Sequence, residues 1–252
     1  MQSDEPNKGL GCLQAVDGGM KREYEHRTNQ CHAFANRMRG PRVTLREAHS
    51  LMESRVIPSV TYSMPITSFT DKECRNLNKI IDSTMVNKYR YNRHMPRAVM
   101  YSPLDLGGAD YPCFEVIQDQ KGLLNLIKQL RWGRTMANDI LVVLSAVQFA
   151  TGLCNPILMD TATDISYVGK GWFMHIRNRL KMMDAQLWIE HQWSPPLQRQ
   201  ADSSIMERIS KLPYATTDVK TKCNMCRLYM KVVTIADLAH LDGKHIPAAR
   251  LT

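Results

Sequence analysis

Between Lys88 and Arg97 the chain gathers Arg90, Arg93, His94 and Arg97 with Tyr89 and Tyr91, and it places no acidic side chain among them. Guanidinium groups answer phosphate oxygens with charged, paired hydrogen bonds, and phenol rings offer flat faces on which bases or sugars stack. That chemistry belongs to a surface that follows a nucleic-acid strand, with Arg90, Tyr91, Arg93, His94 and Arg97 as its contact residues. The same residues also fit a plain solvated cluster in which Tyr91 and Met95 turn inward and His94 caps a helix end. Gly107 and Gly108 downstream supply turn geometry, with close backbone approach to a ligand as the second use of such a pair.

A second acid-free stretch holds Lys170, Arg177, Arg179 and Lys181 beside Trp172. On a helix, Lys170, Arg177 and Lys181 fall near one face, which suits either a groove-tracking surface or an ordinary solvated one. Cys223-x2-Cys226-x13-His240-x4-His245 has the spacing of a two-cysteine, two-histidine zinc site. Gly243 between the histidines and Asp237 just before them argue against a finger helix there, so two buried thiols and two surface histidines remain the alternative. No Gly-x-Ser-x-Gly elbow, His-Glu-x-x-His or phosphate-cradling glycine loop is present, and no catalytic residue is assigned.

The elements that must position these residues read as helices. Residues 1–20 are polar and glycine-rich, which predicts a frayed terminus around Leu10-Gly11. Cys31, Phe34, Ala35 and Met38 recur at helical spacing over 21–39, and Gly40-Pro41 stops that helix. Thr44 with Glu47, and Thr70 with Glu73, are capping boxes that open two more helices. Pro58 is expected to end the first of these, and 60–66 to form a connector or edge strand. A helix over about 113–132 turns Phe114, Ile117, Leu124, Ile127 and Leu130 inward. Residues 138–151 are apolar nearly all round and predict a buried helix stopped at Gly152. Trp172, Ile176, Leu180, Met183 and Leu187 trace a long amphipathic helix, Asp202 caps a short one, and 218–241 read as helix, turn, helix. The expected fold is mainly α, a helical bundle with at most a few short strands near the N-terminus. Its expected segments are 1–20, 21–112 and 113–252.

Composition sets the outer limits. The 252 residues are 44% hydrophobic and 23% charged, ordinary values for a chain with a real core. A net charge of +9 favours an anionic partner. Seven scattered cysteines do not make a disulfide framework, and no apolar run approaches the roughly 20 residues of a membrane span. These features predict an intracellular protein, nuclear or cytoplasmic, with no membrane partner.

Several blocks occur in a telling order. Lys8-Gly9-Leu10-Gly11 is followed by Glu25 to Ala33, then Pro58-Ser59-Val60-Thr61-Tyr62 and Thr67-Ser68-Phe69-Thr70 up to Glu73-Cys74. Tyr91-Asn92-Arg93-His94-Met95-Pro96-Arg97-Ala98-Val99 with Gly107-Gly108 comes next, then Trp172 to Leu180 and Cys226-Arg227-Leu228-Tyr229. Their order resembles the region past the palm in reverse transcriptases of LINE-like, non-LTR retrotransposons. The resemblance implies the end of a palm, a helical thumb and a connection that hold an RNA/DNA primer-template. It also implies that the fingers and the palm, whose aspartates bind two magnesium ions, belong to a part preceding residue 1. No Asp-Asp pair occurs anywhere in the chain, so on this reading it polymerises nothing by itself and needs no cofactor of its own. A stand-alone basic nucleic-acid-binding protein, zinc-dependent through Cys223, Cys226, His240 and His245, is the alternative.

Overall fold

The computed structural model describes residues 7–9, 12–14, 19–40, 42–169, 171–240 and 245–246. Leu10, Gly11, Pro41, Lys170, Leu241 and Gly243, on which expectations above rest, lie outside them. The fold is mainly α-helical. It divides into two compact units, Met1–Leu126 and Ile127–Thr252.

In the first unit β1 (Asn7–Gly9) pairs antiparallel with β2 (Cys12–Gln14), where the sequence predicts a frayed end. The hairpin is held from outside itself. Leu13 N–H donates to Glu23 Oε2 at 2.7 Å, and Cys12 is buried. α1 (Lys21–Met38) buries Cys31, Ala35 and Met38 on one face and packs along α4 (Asp71–Lys88), which buries Cys74, Leu77, Ile81 and Met85. Met38, Leu77, Ile81 and Met85 each contribute about 1.5–3 kcal/mol on leaving water. Both expected capping boxes form: Thr44 opens α2 (Leu45–Leu51) and Thr70 opens α4, each accepting from the amide three residues on.

Pro58 does not stop the helix that Thr44 opens. A π-helical turn, Met52–Val56, follows α2 and leads into α3 (Ile57–Val60), which contains the proline. Pro58 has no N–H for the Ser54 carbonyl four residues back, and its ring crowds that carbonyl in an ordinary α turn. A turn widened by one residue removes the collision, and the helix runs on to Val60. α5 (Arg97–Tyr101) and a short 3-10 turn, Leu104–Leu106, precede α6 (Phe114–Trp132). α6 buries Phe114, Gln118, Gly122 and Leu126, and Leu124, expected inward, is 52% exposed. The Gln118 amide is the reason for that orientation: it accepts from Phe69 N–H at 3.2 Å and donates to Phe69 O at 2.9 Å.

The second unit contains α7 (Arg134–Thr151), α8 (Trp172–Met182), α9 (Ile205–Ser210), α10 (Thr217–Met230) and α11 (Ile235–Leu238). α7 ends where Gly152 takes φ +69°, as expected, but the helix is not buried all round: Val142 and Val143 are 69% and 52% exposed. Its inward face carries Leu144, Gln148 and Thr151. Gln148 ties the following loop down, donating to Leu153 O and Asn155 O and accepting from Ile157 N–H. α8 is shorter than its apolar pattern predicts. Asp184 adopts φ +50° after it, and the amides of Asp184 and Ala185 return to the carbonyls of Lys181 and Leu180. That is a Schellman closure built without glycine. Ser204, not Asp202, caps α9. Asp202 instead accepts from the amides of Gln198, Ser203 and Ala236, which outweigh its burial and hold its carboxyl below the usual range.

Candidate nucleic-acid interface

The residues Lys88 to Arg97 form the exit of α4. Lys88 is not available to a ligand, because its Nζ donates to Gly40 O at 2.8 Å and Val43 O at 2.7 Å. Tyr89 is partly buried, meets His49 edge-on and stacks on Tyr91 with centroids 5.5 Å apart. Arg90 stands at φ +56°, and the amides of Arg90 and Tyr91 close onto the carbonyls of Asn87 and Val86. An arginine thus occupies the left-handed position that usually goes to glycine, at a cost of about 1 kcal/mol.

Beyond this closure the chain turns once more. Asn92 Oδ1 accepts from His94 N–H at 2.9 Å, and Met95 N–H returns to Asn92 O. Arg90, Arg93 and His94 are exposed, and among the described residues their side chains make no hydrogen bond or ion pair. His94 does not cap a helix; Pro96 occupies the N-cap of α5. Tyr91 is 39% exposed with one ring face covered by Tyr89, whereas Met95 turns partly inward.

Arg97 differs from its neighbours. Its Nε lies 3.7 Å from the buried Asp82 carboxylate, which also accepts from Tyr101 O–H at 2.5 Å. Burial raises the Asp82 carboxyl above its usual range, against the hydrogen bond from Tyr101 and the charge of Arg97. Arg97 therefore anchors the turn to α4 with a side chain still 40% exposed. Gly108 is confined by its own chain: a Cβ there would meet Ser102 O at 1.9 Å. Gly107 takes φ +76°. Both glycines thus shape the turn.

The second basic stretch is a correction. Arg177 is 2% exposed and faces the interior of its unit from α8. Its guanidinium donates to Ile157 O at 3.0 Å, to Asp160 O at 2.7 Å and to Thr163 O at 2.6 Å. A loop whose carbonyls lack strand or helix partners needs such a donor, and no phosphate can reach it. Arg179 is buried as well, which leaves Lys181 as the exposed cation of this stretch among the described residues.

Cys223 and Cys226 sit on α10, the first half-buried and the second exposed, and His240 lies past α11 with its N–H on His245 O. Among the described residues no three His, Cys, Asp or Glu side chains come together in a metal-holding group. None of the described helices is long and apolar enough to cross a membrane.

One concave feature had no signal in any single stretch of sequence. A cleft of about 700 Å³ opens between α1 and the α2–π–α3 segment, lined by Arg27, Phe34 and Arg37 from α1 and by Ser54, Arg55 and Tyr62. Its members lie far apart in the chain, and only the packing of the two segments joins them. No family model, curated protein or solved structure matches this chain.

Proposed function

We propose that this chain grips an RNA/DNA primer-template as the post-palm, thumb-and-connection part of a LINE-like reverse transcriptase, without a catalytic residue of its own. The observation that carries the reading is the turn after α4, where Arg90, Arg93 and His94 project into solvent with no acidic partner among the described residues. Tyr91 adds one open ring face beside them, and Arg97 fixes the turn through Asp82. The order of sequence blocks that resembles such polymerases supports the same assignment. The magnesium ions of that chemistry do not fit here, since no aspartate pair is present to hold them.

The phosphate contacts are electrostatic, so each contributes roughly one unit to the slope of log affinity against log salt. The test is binding to a labelled RNA/DNA hybrid across a salt series, beside single strands and duplex DNA, for the native chain and for Arg90→Gln/Arg93→Gln. The expected result is preference for the hybrid, with a slope about two units shallower in the variant. No binding at low salt, or an unchanged slope, overturns the reading.

A further inference from the structure

The cleft between α1 and the α2–π–α3 segment has a charge balance that can be read residue by residue. Arg27, 3% exposed, lies at its base. Its Nε binds Glu23 Oε1 at 2.6 Å, and its Nη1 donates to Ser59 O at 2.8 Å and Gln30 Oε1 at 3.0 Å. The other Glu23 oxygen accepts from Leu13 N–H, so this carboxylate is fully engaged and cancels the charge of Arg27. Arg37 and Arg55, on opposite walls, are exposed and form no hydrogen bond or ion pair among the described residues. Among the described residues no carboxylate lines the cleft. Two positive charges without an acidic partner among the described residues thus face a concave space, with two rings, Phe34 and Tyr62, beside them, while the Ser54 hydroxyl on its wall is donated to Ser50 O at 2.6 Å. The space has the size of small-ligand sites.

We propose that this cleft binds a nucleoside monophosphate, either free or as the 5′-phosphorylated end of a strand. Arg37 and Arg55 match the dianionic phosphate monoester in charge, and Arg is suited to its oxygens by its forked donors. Phe34 and Tyr62 take the base, a flat group that a bare phosphate ion lacks. The π turn presents the cleft's second wall, since Leu51, Ser54, Arg55, Pro58, Ser59 and Tyr62 follow one face through it. Such turns recur at functional sites. The site does not depend on the turn after α4, which carries the proposed function.

The test is calorimetric titration of the full chain with adenosine 5′-monophosphate, adenosine and inorganic phosphate. The expected result is one site for the monophosphate, with adenosine and phosphate each at least about tenfold weaker. Arg37→Gln/Arg55→Gln, both exposed positions, lowers monophosphate affinity by at least about tenfold with an unchanged thermal melt. Tyr62→Ala weakens the monophosphate but not inorganic phosphate. Arg90→Gln/Arg93→Gln leaves all three titrations as they were, which separates this site from the interface above. Competition by a 5′-phosphorylated oligonucleotide, but not by its 5′-hydroxyl form, assigns the ligand to a strand end; absence of competition by either assigns it to free nucleotide. Equal binding of adenosine and its monophosphate, or full affinity in Arg37→Gln/Arg55→Gln, overturns the proposal.

Discussion

Residues 88–97 and residues 170–181 look alike as text, each a run of cations with an aromatic neighbour and no acid, yet the chain uses them in opposite ways. The first run follows the last turn of α4, where a Schellman closure through Arg90 leaves Arg93 and His94 outside any helix and in water. Of the second, residues 172–181 lie within α8, where Arg177 shares a face with Phe173, Ile176 and Leu180. A buried arginine is tolerable when enough acceptors meet it, and the loop below α8 presents the carbonyls of Ile157, Asp160 and Thr163. Arg227 repeats the device on α10: its guanidinium binds Phe149 O, Ala150 O and Val232 O and lies over the Phe149 ring. Arg177 and Arg227 therefore serve the chain's own backbone, and net charge overstates what a ligand meets.

The sharpest test of the interior use is at Gly152. A Cβ there would lie 2.4 Å from Arg227 Nε, and the residue needs φ +69°. Gly152→Ala is expected to lose about 3–5 kcal/mol in urea unfolding, because Arg227 cannot shift without orphaning buried carbonyls. A loss under about 1 kcal/mol would mean the guanidinium has room to move. Arg177→Met should lose about 2–4 kcal/mol for the same reason, while folded protein keeps its hybrid affinity. A drop in affinity without a drop in stability would break the contrast drawn above. Arg90→Gly works in the other direction. It should gain about 1 kcal/mol by relieving the left-handed arginine and lower the salt slope of hybrid binding by roughly one unit.

The smallest effect concerns Asp82. Burial raises its folded-state value, so protonation favours the folded chain, and its contribution grows as pH falls from neutral through that raised value. The contribution levels off below the ordinary carboxylate range. The stability of the native chain relative to Asp82→Asn should therefore increase as the pH of the melts is lowered. A difference that shrinks instead would place the Asp82 value below the usual range, with the pair to Arg97 dominant over burial.

Legibility followed the range of the interactions. The capping boxes at Thr44 and Thr70 were readable because both partners lie within one turn, and Gly152 because only glycine advertises a left-handed stop. The closures at Arg90, Asp184 and Lys231 use the same geometry with residues that carry no such signal. Leu124 was expected inward because periodicity sees apolar residues alone, whereas the orientation of α6 follows Gln118 and its bonds to Phe69, 49 positions away. α7 was expected buried because its outer valines look like core. The turn after α4 was legible because several cations crowd one short stretch; the cleft of Arg37 and Arg55 was not, because two helices share it.

The π turn at Met52–Val56 has a consequence for how this segment tolerates changes in length. It stores one surplus residue between α2 and α3. Deleting the exposed Glu53 would convert the turn to ordinary α geometry, and the ring of Pro58 would then strike the carbonyl four residues back. Replacing Pro58 alone would leave the surplus residue with nothing to justify it. The two changes are therefore mutually permissive: together they restore a regular helix, and separately each leaves the segment frustrated.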